Sequence, residues 1–348
     1  MIREPMIRET TIGRTTADGS NALGSATAGP TQVHKGGWEV VSSCNLCRSD
    51  RIRKVDPDFN LCRCDSCGYV FDSPRPSVAA VARFYSQTGK YDSWLQQERA
   101  RDLLWKRRLR KLLPHRAPGT LLDIGAGIGQ FLHHAQPLFA RVTGTEISSS
   151  AVKIAREKYG LDLLAGQVED LNLPPSSFDN ITLFHVLEHV HDPARLINLC
   201  RDLLRPRGTM VIAVPNDVLA WSSRVKKAGK RLGIKPFQKF SPVLGIARAG
   251  ASREIHLSHF TPDVLRRLLQ NSGLAVVHES LDPYYVSSGV RLMMDGAYYA
   301  LHRMLKQRSR STATKRSGWW RESHEISPGV ATDVGRAGAD RSALGDMH

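Results

Sequence analysis

The run Thr120-Leu-Leu-Asp123-Ile-Gly125-Ala-Gly127-Ile-Gly129-Gln-Phe-Leu132 constrains this chain more than any other. An apolar strand pattern leads into three glycines spaced by single residues, and a helical pattern follows. That order brings backbone close to a ligand, because glycine adopts positive φ at little steric cost and a helix N-terminus favours an anionic group. The glycines read G-x-G-x-G, whereas the dinucleotide fingerprint reads G-x-G-x-x-G, so a nicotinamide or flavin cofactor is disfavoured. From Thr120 onward strand and helix patterns alternate, which predicts an α/β fold with a parallel sheet covered by helices on both faces. With 41% hydrophobic and 24% charged residues, the chain is not wholly disordered, collagenous or membrane-embedded.

Five of the six cysteines lie between Cys44 and Cys67. Cys44-Asn-Leu-Cys47 and Cys64-Asp-Ser-Cys67-Gly68 are two C-x2-C pairs, the spacing of a zinc ribbon. Each short turn directs two thiolates towards one point, and the hairpin between them brings the turns together around a tetrahedral ion. Four soft ligands with no open position suit structural Zn²⁺, whose binding in comparable sites is worth about 10 to 16 kcal/mol of folding energy. Disulfides are the alternative, disfavoured in a chain with no export signal. Cys62 is expected to be a spare buried thiol, and Cys200, in the helical pattern Ala194 to Leu204, a core residue.

The glycine segment is followed by an apolar strand ending in an acid, Val142-Thr-Gly-Thr-Glu146, then by a short strand Leu161 to Leu164 and Gly166-Gln-Val-Glu-Asp170. In these features, over about Thr120 to Ser280, the chain resembles the class I S-adenosylmethionine-dependent methyltransferases. The resemblance implies a Rossmann-like doubly wound, seven-stranded sheet carrying a small N-terminal zinc ribbon. It also implies that Asp123, Gly125, Gly127 and Gly129 hold the methionine part of S-adenosylmethionine and that Glu146 receives both ribose hydroxyls. One carboxylate accepts two O–H bonds in parallel, each charge-assisted bond being worth about 1.5 to 3 kcal/mol. Gln167 and the Val168 N–H fall in the adenine segment; the family often has an acid where this chain has Gln167.

His185-Val-Leu-Glu188-His189 is a literal H-x-x-E-H, the signature of an inverted zinc peptidase. That chemistry needs a long helix, and here the motif follows the strand-like Asn180 to Phe184 with Pro193 soon after, so the context disfavours hydrolysis. The stretch instead resembles the methyltransferases' fourth-strand motif, which implies that His185, Glu188 and His189 lie beside the transferring methyl. His189 is the expected general base, with Glu188 orienting it; His256 and His259 compete. Some related quinone methyltransferases hold a divalent metal here with acids and a histidine, and this chain has His185 where they have an acid.

The segment Leu61-Cys62-Arg-Cys64-Asp-Ser-Cys67-Gly68-Tyr-Val-Phe71-Asp-Ser-Pro74-Arg75-Pro76-Ser77, followed by Phe84-Tyr85, resembles the N-terminal module of bacterial sugar and secondary-metabolite methyltransferases. The implied reaction is methylation of a small-molecule hydroxyl on a sugar, nucleotide-sugar or related metabolite. Lys and Arg number 49 against 33 Asp and Glu, a net charge of +16, which favours an anionic acceptor. Nine basic residues from Arg224 to Arg253 stand without an acid in an insertion expected to overhang the substrate mouth. An RNA methyltransferase is the runner-up, since ribbons and positive charge both grip phosphates. Against it, the ribbon lacks interleaved basic and aromatic residues for base stacking.

The expected organisation is a disordered tail over 1–37, a zinc ribbon over 38–78, a helical linker over 79–116, a methyltransferase domain over 117–305 with its basic insertion at 217–255, and a disordered basic tail over 306–348. Tyr284, Tyr285, Met293, Met294, Tyr298 and Tyr299 read as last-strand and dimer-helix core. Trp319 and Trp320 have no assigned role. With no signal peptide or membrane anchor in the pattern, the expected location is the cytoplasm.

Overall fold

The structure, a computed structural model, describes residues 7–14, 32–34, 37–56, 60–87, 89–215, 229, 232–234, 255–282, 290, 293 and 297. The chain divides into two compact units, Met1–Asp295 and Gly296–His348, and only residue 297 of the second is described. The basic insertion, apart from residues 229, 232–234 and 255, lies outside the described residues, as do the carboxy-terminal tail and most of 283–305. No helix among the described residues is long and apolar enough to cross a membrane.

Short strands open the chain: β1 (Ile7–Arg14), β2 (Gln32–His34), β3 (Trp38–Val40), β4 (Ile52–Asp56), β5 (Leu61–Cys64), β6 (Val70–Asp72) and β7 (Arg75–Pro76). Three helices follow, α1 (Val78–Tyr85), α2 (Asp92–Gln96) and α3 (Glu98–Leu112). Then strands and helices alternate through β8 (Thr120–Ile124), α4 (Gln130–Ala135), β9 (Arg141–Glu146), α5 (Ser149–Tyr159) and β10 (Leu164–Ala165). The last elements are β11 (Phe178–Phe184), α6 (Pro193–Leu203), β12 (Leu204–Pro215), β13 (Ser258–His259), α7 (Pro262–Asn271) and β14 (Leu274–Asp282). The third strand expected at Leu161 to Leu164 is shorter and later, because Leu161 and Leu163 turn into the core instead of joining the ladder.

Local chemistry sets the helix ends. Ser148 caps α5 by accepting from the Ala151 N–H, and Gly160 ends that helix in the left-handed region at φ 64°. Asp192 caps α6 through the Arg195 N–H and Thr261 caps α7 through the Val264 N–H, each with proline in the first turn.

The main sheet has seven strands in the order β10-β9-β8-β11-β12-β1-β14. The five strands from β10 to β12 run parallel; residues 181–184 of β11 and 208–214 of β12 are buried without a break, as in strands covered on both faces. Alternate residues feed two apolar clusters. Leu122, Ile181, Leu183 and Ile212 pack against α6 and α7, while Leu121, Val211 and Ala213 pack against α3, α4 and α5. The chain enters at the centre with β8, moves outward to β10, then crosses back to β11. The loops leaving β8 and β11 therefore meet at a switch point, where such sheets bind ligands.

Two expectations change. The tail expected over 1–37 contains β1, which pairs antiparallel with both β12 and β14, Ile12 standing opposite Met210 and Val276. The segment has no aromatic residue, but a strand between two neighbours draws its stability from two backbone ladders. The ribbon, moreover, does not end at residue 78 as a separate module. β13 adds antiparallel to β6 to complete a four-stranded sheet, β13-β6-β5-β4. Cys44, Tyr69 and Phe71 share one apolar cluster with Leu187, Phe260 and Leu265.

Candidate active site

The glycine turn sits at the carboxyl end of β8. Gly125 has φ 70°, and a Cβ there would come within 2.5 Å of Val186 in the loop leaving β11. Gly127 has φ 56°, and its Cβ would lie 2.9 Å from Trp94 Cζ3. Both positions need glycine for conformation and for space.

Asp123 is buried and accepts from the Thr182 hydroxyl at 2.6 Å. Burial pushes its carboxyl up to about 7, a shift the Thr182 bond opposes and the nearby Glu146 charge reinforces. Glu146, at the tip of β9, accepts from the Gly127 N–H at 2.8 Å and the Ser148 N–H at 2.9 Å. Its carboxyl is raised by burial, with those N–H groups acting against the shift. Gly166 N–H bonds the Glu146 carbonyl at 2.9 Å, which brings the next loop alongside. There Val168 is buried, whereas Gln167 is exposed and reaches Asp170 at 3.4 Å.

The H-x-x-E-H residues lie in a turn, not a helix. His185 has φ 60°. Arg108 donates to its Nε2 at 3.1 Å, so the ring proton is on Nδ1 and is donated to Glu188 Oε1 at 3.1 Å. Glu188 thus serves His185 more closely than His189, whose Nε2 is 3.8 Å from the same oxygen. Burial opposes ionisation of Glu188, but the His185 bond and the charges of His189 and His256 outweigh it and hold its carboxyl below the usual range. His189 Nδ1 donates to the Ile255 carbonyl and lies 3.1 Å from the Tyr85 hydroxyl. One ligand atom from each of Glu188, His189 and His256 lies within 4.8 Å of the others. His259, the other competing base, is instead 3.2 Å from Asp72 in the buried junction with the ribbon.

A family model described as a methyltransferase domain matches residues 96–279, more than half of the chain. The chain belongs to this methyltransferase family. A ubiquinone biosynthesis O-methyltransferase of Xanthomonas campestris is 37% identical over 106 residues, 28% of this chain and 44% of that protein. A probable S-adenosylmethionine-dependent methyltransferase of Mycolicibacterium smegmatis is 32% identical over 108 residues, 30% of this chain and 42% of that protein. The methyltransferase chain thus spans less than half the length of these relatives. A solved S-adenosylmethionine-dependent methyltransferase from Archaeoglobus fulgidus is 25% identical, covering 52% of this chain and 73% of that one, with a TM-score of 0.37.

This methyltransferase carries a second donor set. The thiols of Cys44, Cys47, Cys64 and Cys67 all lie within 4.8 Å of one another. The Cys44–Cys67 separation is 3.5 Å and the Cys47–Cys64 separation 3.6 Å, close to the edge of about 3.8 Å that Zn–S bonds of about 2.3 Å give a tetrahedron. Cys67 is held below the usual thiol range by the Cys44 bond. Cys62 stands outside the set, buried, with its thiol 3.8 Å from the Ser73 carbonyl.

Trp94 and Arg108 joined the site without a motif to announce their contacts, while Tyr85 belonged to the segment that carries the resemblance but had no site role assigned to it. Their signal was a run of aromatic and basic residues immediately before the sheet.

Proposed function

We propose that this chain transfers the methyl of S-adenosylmethionine to a hydroxyl of a small-molecule acceptor, a sugar, nucleotide-sugar or related metabolite. The observation that carries the reading is the buried Glu146 carboxylate at the tip of β9, fixed by the Gly127 N–H beside a turn where only glycine fits. The name of the Xanthomonas relatives, O-methyltransferases, supports a hydroxyl acceptor. When bound, the cofactor supplies a methyl already activated on a sulfonium. Asp123, Gly125, Gly127, Gly129 and Val168 would line its pocket, with Glu146 on the ribose; Gln167 is the weakest member because its side chain faces outward.

Aligning nucleophile, carbon and sulfur can supply about 7 to 11 kcal/mol. His189 takes the acceptor's proton on Nε2, since its Nδ1 proton is committed to the Ile255 carbonyl. The imidazolium that forms is stabilised by the ionised Glu188 at 3.8 Å. His185 is the positioning residue, both its nitrogens being engaged. The four cysteines hold one structural Zn²⁺, a reading supported by their mutual approach within 4.8 Å and by two separations near the edge of a Zn–S tetrahedron.

Tritium transfer from labelled cofactor to a pool of nucleotide-sugars and small metabolites, run beside total RNA, tests the acceptor class. Label in the small-molecule pool is expected; label in RNA alone would move the chain to the nucleic-acid class.

A further inference from the structure

Helix α1 ends against His189. Its last residue, Tyr85, has its hydroxyl 3.1 Å from His189 Nδ1, and the same oxygen accepts from the Ile255 N–H at 3.1 Å. The two rings meet edge to face, 5.6 Å apart at 72°. Tyr85 is itself held on several sides. Phe84 stands nearly perpendicular to it at 5.2 Å, and the Lys90 ammonium lies 3.7 Å from the Phe84 ring centroid and 5.3 Å from that of Tyr85. Both rings pack against the cluster of Val81, Ile255 and Leu257.

The main chain of the same residue reaches the other side of the site. The Tyr85 carbonyl accepts from the Ser148 hydroxyl at 2.9 Å, and the Ser148 N–H donates to Glu146 Oε1 at 2.9 Å. One residue thus ties the loop after Glu146 to the ring of His189.

A neutral imidazole carries its proton on either nitrogen, and only the Nδ1–H tautomer leaves Nε2 unprotonated to act as a base. That tautomer is selected by an acceptor opposite Nδ1. The Ile255 carbonyl is one, but a carbonyl faces the ring only while its residue is held in place. Tyr85 holds Ile255 by its N–H and offers its own oxygen to the same Nδ1 proton.

We propose that Tyr85 is a positioning residue of the transfer: its oxygen confines the His189 proton to Nδ1, and its carbonyl keeps that ring in register with Glu146. This rests on the reading of His189 as the base.

Two-bond proton–nitrogen correlation spectra of protein labelled in its histidine ring nitrogens read the tautomer directly, with His189 assigned from His189→Gln. In wild type His189 is expected as the Nδ1–H tautomer alone. Tyr85→Phe keeps the ring and the carbonyl and loses only the oxygen; it is expected to lose the single tautomer, the His189 proton being shared between both nitrogens. The stacked His115–His278 pair should keep its wild-type signals, which shows that the variant is folded. A His189 proton confined to Nδ1 in Tyr85→Phe as in wild type overturns the assignment, and so does a change in all histidines alike. A wild-type His189 protonated on Nε2 overturns the base reading and the Tyr85 assignment with it.

Discussion

Arg48, beside the first pair of cysteines, donates to the Asp192 carboxylate at 2.9 Å, joining residues 144 positions apart. Asn45 donates to the neighbouring His191 carbonyl, and His191 Nε2 lies 2.8 Å from the Pro76 carbonyl. The backbone N–H groups of Leu257 and Ser258 bond the Glu188 carbonyl at 2.8 and 3.1 Å. The cysteine site thus holds the chain just after the turn, at His191 and Asp192, and Leu257 and Ser258 hold the turn at Glu188 itself.

Metal removal should therefore disturb more than the ribbon. Cys64→Ser is expected to lose the metal and to lower the melting temperature of the whole Met1–Asp295 unit in one transition, while Cys62→Ser keeps the metal. Elemental analysis and calorimetric melting read both. Equal metal loss in the two variants, or a folded wild type without metal, would reject the four-cysteine assignment.

Asp192 has two tasks that separate by substitution. Asp192→Asn keeps an oxygen for the Arg195 N–H at the start of α6 and loses only a partly exposed ion pair, a cost of about 1 kcal/mol or less. Asp192→Ala also loses the cap, for a total of about 1 to 2 kcal/mol. Urea denaturation should rank Ala below Asn; the reverse order would remove the cap from the account.

The Asp123 carboxyl is raised by burial to about 7, against an unfolded value of about 3.9. Stability from its protonated form is complete below pH of about 4 and is lost as pH rises through the folded value. Relative to Asp123→Asn, wild type should lose on the order of 2 kcal/mol between about pH 5 and pH 8. Denaturation at both pH values measures the difference, and a pH-independent gap between the two proteins would place the Asp123 pKa elsewhere.

Much of this was legible in sequence. β8 and β11 were readable because each carries a largely apolar stretch, Leu121-Leu122 and Ile181 to Phe184, whereas β9, Arg-Val-Thr-Gly-Thr-Glu, was readable from its place after the glycine turn and helix, and Glu146 from its place at that strand's end. β1 was hidden, since backbone pairing leaves little mark in eight residues of mixed polarity. The partner of Glu188 was hidden too: adjacency in sequence favoured His189, but the positive φ of His185 turns that ring onto the carboxylate. His259 read as a candidate base because a histidine's burial against Asp72 is set by a strand from the other end of the chain.

Once an acceptor is in hand, single-turnover rates separate the two histidines. His189→Gln is expected to slow transfer about 10² to 10⁴-fold with cofactor affinity unchanged. His185→Gln should instead shift the pH profile, because Glu188 loses its closest partner. An unchanged rate and pH profile in His189→Gln would leave catalysis to positioning alone.

The central claim is that Glu146 and the glycine turn form an S-adenosylmethionine pocket, and calorimetric titration with S-adenosylhomocysteine tests it most directly. The account predicts a single site in wild type and a loss of at least tenfold in affinity for Glu146→Ala, from two charge-assisted bonds of about 1.5 to 3 kcal/mol each. No binding to wild type, or an affinity within twofold in Glu146→Ala, would contradict it.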